Sequence, residues 1–327
     1  MFKVIFLNFL LVVFFNESTI HAEMIETNTN QPYTYEMLEN DLLTLKAKYK
    51  DNIELRTIGT TYFGRNISAI KVGEGKACVL FVGSHHAREW MTSMILINMA
   101  EKYASGFSNK TTHIPQDISI WFVPMLNPDG VTIQQNQIHL FPPEYQNYLL
   151  FLNEGWDNYI RWKANGKGID LNRQYPAGWK ALEKKDYSPS YQYFKGKKPL
   201  EAEEVIALTK FVKEINPLIA VSYHSAGREI FWKYKNGENV KRDRGIAKKV
   251  AKQTGYKLGK PPKEAVGGGF TDWFITTYHR PALTIEISYL VGDRHPPLKV
   301  FKEEWKRNEN VGLLIAREAL KLQSRDR

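Results

Sequence analysis

The segment Ala77-Cys-Val-Leu-Phe-Val82, which contains the β-rich run Val79 to Val82, is apolar at every position, and the runs Ile118 to Met125 and Ile219 to Tyr223 approach the same pattern. A strand with one wet face alternates polar and apolar residues, so a run without alternation has to be covered on both sides. Further β-rich runs lie at Ile53 to Ile58, Ile67 to Val72, Ile230 to Tyr234 and Leu283 to Ile287. Between the strands, apolar residues recur at helical spacing in Tyr35 to Tyr49, Met91 to Tyr103, Glu201 to Ile215 and Trp305 to Leu322. This alternation predicts an α/β fold: a three-layer α/β/α sandwich around a mostly parallel or mixed twisted central sheet. No repeat, low-complexity linker or composition break follows Tyr33, so residues 33–327 read as one domain, preceded by a short extension over 23–32. A hydrophobic content of 43% supplies enough material for its core.

Residues 1–22 read differently. They run from MFK through the apolar stretch Val4 to Phe15, broken only by Asn8, to a polar segment ending Ile20-His-Ala22, the three-part layout of a secretory signal. About a dozen apolar residues fall short of the roughly 20 that a spanning helix needs, which sets aside the rival reading of a membrane anchor. Cleavage after Ala22, export, and no stable membrane insertion are therefore expected. Cys78 is the single cysteine, so no intramolecular disulfide can form. Within its apolar run it reads as a packed thiol rather than a nucleophile. Removing residues 1–22 takes away Lys3 and Glu17 and leaves the net charge at +10. The lysines are dispersed, with short clusters only at 195–198 and 241–249, which argues against a nucleic-acid interface. Attraction to an anionic cell-wall surface and plain solubility both fit such a balance. A monomer is the default expectation.

In sheets covered on both faces, ligands gather at the carboxyl ends of the strands. The polar residues fall there: His85-His86-Ala-Arg88-Glu89 follows the strand at Val79, Asn127-Pro-Asp-Gly130 follows Ile118 to Met125, and His224-Ser225 follows Ile219 to Tyr223. His86 and Glu89 are three apart where strand gives way to helix, so their side chains can meet at one point. By itself that spacing is weak. His224 adds a second imidazole, and two nitrogens with one carboxylate leave a position open for water, as a catalytic zinc ion requires. His85 is expected to point the opposite way, and His113, His139, His279 and His295 sit in polar or proline-rich loops. Arg88, between the two proposed ligands, is placed to assist a polarised carbonyl or a substrate carboxylate.

Gly83-Ser-His-His-Ala-Arg-Glu-Trp90, Asn127-Pro-Asp-Gly130, Gly168-Ile-Asp-Leu-Asn-Arg173, Tyr223-His-Ser225 and Thr284-Ile-Glu286 resemble the zinc carboxypeptidase family in content and order. The likeness covers about residues 33–320. The stretch from Arg161-Trp-Lys-Ala-Asn to Gln174-Tyr-Pro-Ala-Gly-Trp179, with Gly267-Gly-Gly-Phe-Thr-Asp-Trp273, is similar to the bacterial branch that hydrolyses γ-D-glutamyl-diaminopimelate bonds in peptidoglycan stem peptides.

The resemblance implies one Zn2+ held by His86, Glu89 and His224, and Glu286 as the general base. It implies that Asp170 orients His86, with helix capping as its ordinary alternative, and that Asn172 and Arg173 grip the free carboxylate beside the cleaved bond. The family's oxyanion-stabilising arginine falls on Lys163, with Arg161 nearby, so the cation in that role is open. Glu264 stands where the digestive enzymes carry a mobile tyrosine, a position from which it can meet a substrate ammonium group instead. Thr271 stands at the floor of the specificity pocket, a small polar residue that suits diaminopimelate. Arg228 has two readings, a ligand for the α-carboxylate of D-glutamate or a solvent-exposed strand residue. The partner expected is a peptide or muropeptide. Ordinary carboxypeptidase action on L-peptides is the alternative activity, and a binding module of the same fold without catalysis is the non-enzymatic one.

Overall fold

The computed structural model describes residues 31–108, 114–182 and 188–324. The expected signal segment, 1–22, and His113 lie outside them. Eight strands form one mixed sheet: β1 (Ile53–Thr60), β2 (Asn66–Val72), β3 (Ala77–Val82), β4 (Ile118–Val123), β5 (Ile219–Ser225), β6 (Glu229–Phe231), β7 (Lys257–Leu258) and β8 (Ala282–Ile287). Their spatial order is β1-β2-β4-β3-β5-β8-β6-β7. The centre, β4-β3-β5-β8, is parallel, and β2 and β6 run antiparallel to it on either side.

Two-residue periodicity splits each central strand between two cores. Val79, Phe81, Ile120, Phe122, Val221 and Ile285 enter a core shared with the helices α1 (Tyr35–Lys48), α2 (Met91–Ser108), α6 (Val240–Thr254), α8 (Phe301–Asn308) and α9 (Val311–Gln323). Cys78, Leu80, Val82, Trp121 and Ala220 enter the opposite core with α5 (Glu203–Ile215) and α7 (Phe270–Tyr278). Those are the two outer layers of the expected sandwich. Cys78 is buried and its thiol is pushed up to about 12 by burial. A third, smaller cluster around Trp162, Phe141 and Leu152 lies beneath the excursion that carries α3 (Pro128–Gln134) and α4 (Pro143–Leu152).

Two expected elements depart most from their patterns. The strand expected over Ile230 to Tyr234 pairs only as Glu229–Phe231. The helix expected over Trp305 to Leu322 is two helices, broken at Glu309-Asn310. Tyr103, from α2, fills the break: its hydroxyl donates to Glu309 O (2.9 Å) and accepts from Gly312 N (3.0 Å). Gly312 is required there, since an added Cβ would lie 2.5 Å from the Tyr103 ring. Long-range packing thus satisfies backbone groups that a continuous helix would satisfy internally.

Candidate metal centre and active site

β3, β5 and β8 end side by side, and the chain departs sharply at the first. Ser84 takes a positive φ of 48°. Its amide donates to Thr92 Oγ1 (2.8 Å), which fixes the turn onto the start of α2. His86 then precedes the short 3-10 turn Ala87–Glu89 at its N-cap position. Residues three apart eclipse in such a turn, so His86 and Glu89 face the same point. Asn127 secures the turn from outside, its Nδ2 donating to His85 O (3.2 Å) and Ala164 O (3.1 Å).

His224 enters from β5, on the sheet face it shares with Ser222. The three expected ligands converge and are buried, with exposures of 7%, 4% and 1% for His86, Glu89 and His224. His86 Nδ1 lies 2.8 Å from Glu89 Oε1 and His224 Nδ1 lies 2.9 Å from Glu89 Oε2. The two Nδ1 atoms are 3.2 Å apart. Both Nε2 atoms are engaged elsewhere, that of His86 with Asp170 Oδ1 (3.2 Å) and that of His224 with Ser222 Oγ (3.0 Å). Two imidazoles that turn the same nitrogen inward, each held from behind, with a carboxylate between them, form a donor set that fits zinc. His85 points away, its ring nitrogens meeting Tyr175 Oη (3.0 Å) and Ser222 Oγ (3.2 Å).

Asp170 makes contacts that suit both of the roles considered for it. Oδ1 contacts His86 and accepts from Asn172 N (3.2 Å), capping the 3-10 turn Leu171–Arg173. Oδ2 lies 2.8 Å from Lys163 Nζ and 3.3 Å from Arg173 Nε. Burial alone would raise its pKa, but Lys163, His86 and Arg173 outweigh burial and hold the carboxyl well below the usual carboxylate range.

A cavity of about 430 Å³ opens over the three ligands and is lined also by Arg88, Lys163, Asn172, Arg173, Thr271 and Glu286. Glu286 stands opposite His224 in the β5-β8 register. Enclosed by protein yet open to the cavity, it is pushed up to about 8, chiefly by burial and partly by Glu89, against the opposing pull of His224. Thr271 Oγ1 is 2.7 Å from Thr284 Oγ1, giving the floor a paired hydroxyl. Arg88 is braced by Arg161 O (2.9 Å) and Asp293 (2.9 Å). Arg161 turns to Glu154 (2.8 Å) and stacks on Tyr191, so of the two candidate cations Lys163 is the one in the cavity wall.

Arg228 is half-buried and stands outside the cavity lining. It lies in the turn between β5 and β6 with φ of 50°, and its guanidinium meets Glu304 Oε1 (2.6 Å) and Glu303 Oε2 (2.8 Å) on α8. Glu264 falls in the 3-10 turn Lys263–Ala265, and its side chain lies outside the described residues. Glu229, Lys233 and Tyr193 line the cavity without having been anticipated. Glu229 carries a readable signal, the two-residue period that places it on the face of Phe231; Tyr193 sits in an irregular loop and carries none. A wider groove of about 710 Å³ between α6 and α9, lined by Lys249, Lys252, Arg317 and Lys321, contains none of the proposed ligands.

The sequence profile of the zinc carboxypeptidase family matches residues 38–310. The chain belongs to that family and is a zinc metallopeptidase. It is 29% identical over 301 residues to "Gamma-D-glutamyl-L-diamino acid endopeptidase 1" of Lysinibacillus sphaericus, spanning 88% of this chain and 73% of that protein. It is also 29% identical over 198 residues to "Metallocarboxypeptidase A" of Trichophyton rubrum, spanning 57% and 44%. Among solved structures, thrombin activatable fibrinolysis inhibitor superimposes with a TM-score of 0.74 at 16% identity, over 90% of this chain and 76% of that one, which shows the shared fold.

Proposed function

We propose that this peptidase hydrolyses the bond between γ-D-glutamate and a diamino acid, such as diaminopimelate, in peptidoglycan stem peptides. The observation that carries the reading is the cavity floor: paired threonine hydroxyls stand where a pocket for a basic side chain would present an aspartate and a pocket for an apolar one a bulky hydrophobe. The likeness to the Lysinibacillus sphaericus endopeptidase, which runs over most of both chains, supports it.

Zinc held by His86, Glu89 and His224 would supply Lewis-acid polarisation of the scissile carbonyl and a water acidified toward neutrality. Glu286, on the cavity wall beside His224, takes the proton of the attacking water and returns it to the leaving amine. Lys163 and Arg88 offer positive charge to the oxygen on which negative charge develops. Asn172 and Arg173 hold the carboxylate of the departing residue, the amide and guanidinium supplying directional donors. Asp170 keeps Nδ1 of His86 turned inward by engaging Nε2. No covalent intermediate is needed.

The setting belongs to the same proposal: export through the segment 1–22, a single catalytic domain over 33–327 and a basic surface held near an anionic wall. Among the described residues no helix is long and apolar enough to cross a membrane. The second reading, release of C-terminal L-amino acids from ordinary peptides, is favoured by the Asn172–Arg173 pair in the cavity. Turnover of L-Ala-γ-D-Glu-diaminopimelate, measured beside blocked dipeptides ending in Phe, Arg or Lys, separates the two, with a chelated control. The muropeptide should be cut and the dipeptides spared. The reverse pattern would replace the first reading with the second.

A further inference from the structure

The sheet register places three functional side chains in one row. His224 of β5 pairs with Glu286 of β8, and Glu286 pairs in turn with Glu229 of β6. Ile230 enters the core on the other face, so Glu229 and Phe231 share the cavity face with Glu286 and Thr284. With strands roughly 4.8 Å apart, Glu229 stands one strand beyond the proposed base and two beyond the metal ligand.

Among the described residues, the other acids of the cavity wall are already engaged or assigned a role. Glu89 lies between the two imidazoles. Asp170 meets His86, Lys163 and Arg173. Asp272 accepts from Gly267 N (2.6 Å). Glu286 is assigned to the attacking water. Among the described residues no hydrogen bond or ion pair reaches the Glu229 carboxylate, which lines the cavity without a protein partner. A half-buried carboxylate that ends in a substrate cavity is a site for a substrate cation.

We propose that Glu229 recognises the side-chain ammonium of the diamino acid on the amine side of the scissile bond. The inference rests on the substrate reading above. With the carboxylate of that residue at Asn172 and Arg173 and its peptide nitrogen near Glu286, its side chain runs between the Thr271–Thr284 floor and β6. The ammonium meets Glu229 there. This divides the labour among the acids: Glu286 moves a proton and Glu229 holds a charge.

The test compares L-Ala-γ-D-Glu-L-Lys with L-Ala-γ-D-Glu-L-norleucine, which matches lysine in chain length and lacks the ammonium, using the zinc-loaded full chain. Wild type should favour the lysine substrate in kcat/KM by roughly ten- to a hundredfold, the range of a charged hydrogen bond. Glu229→Gln should abolish most of that ratio, and Glu229→Asp should restore part of it. The ratio between substrates is the readout, so a general loss of activity in either variant cancels. Binding of free L-lysine against free L-norleucine by calorimetry should follow the same order. An unchanged ratio in Glu229→Gln, or no preference in wild type, overturns the role of Glu229 while leaving the substrate reading intact. Cleavage of ordinary blocked dipeptides with neither γ-D-glutamyl substrate cut overturns the substrate reading itself, and the inference with it.

Discussion

Glu286 and Glu204 are two acids enclosed by protein and pushed up to about 8, in both cases chiefly by burial. Their surroundings separate them. Glu204, at the start of α5, is fully buried, and both its oxygens accept from Asn165 Nδ2 (3.2 and 3.1 Å). Nearby Asp129 pushes it further in the same direction. Asn165 in turn accepts from Lys167 N and Ile169 N, so Glu204 anchors the loop that leads to Asp170. Glu286 faces His224 and opens to the cavity. Raised proton affinity therefore marks a carboxyl taken out of water, whatever its use; what separates the two is that Glu286 lines the cavity beside the proposed ligands and Glu204 does not.

The largest effect is expected at Glu286. Replacement by glutamine should lower kcat by about 10²- to 10⁴-fold while zinc content, measured by elemental analysis, stays at the wild-type level. Undiminished turnover would move the general base elsewhere. A smaller effect is expected at Asp170, whose carboxylate both orients His86 and caps its own turn. Asp170→Asn should weaken zinc affinity or activity by roughly 10- to 100-fold, read by titration against a competing chelator. Unaltered affinity would leave Asp170 with the capping role alone.

Glu204→Gln should give the smallest effect on turnover, none beyond error, and should show itself in stability. The folded state keeps the Glu204 proton up to about pH 8. The unfolded chain releases it near its ordinary value of about 4.3. Between those values the unfolded state binds fewer protons, so the stability contributed by this group is complete below the unfolded value and is lost as pH rises toward 8. The melting temperature of wild type should therefore fall more between pH 5 and pH 8 than that of Glu204→Gln. Parallel curves would show that Glu204 does not titrate in this way.

Much of the fold is written in local patterns. β2, β3, β5 and β8 fall close to their expected spans because apolar strand residues must be covered, and α1, α2 and α5 because an apolar stripe must face a core. The helix Val240–Thr254 is absent from the sequence expectations although Ile246, Ala247 and Val250 carry its stripe, because lysine and arginine dominate that segment. α3 and α4 belong to an excursion that packs on its own small core, where short range and prolines obscure the period.

Sequence alone marked the proposed zinc ligand pair, since His86 and Glu89 are brought together by one turn of backbone, and it marked His224 as the end of a buried strand. Tertiary structure decided the rest. Sheet register set Glu286 beside His224 and Glu229 beside Glu286, and loop packing brought Asp170 onto His86. The turn before β6 carried Arg228 to α8 instead of the cavity. Spacing along a chain reports what one element can do; the partner of a charge is chosen by pairing and packing between elements distant in sequence, and no local pattern encodes that choice.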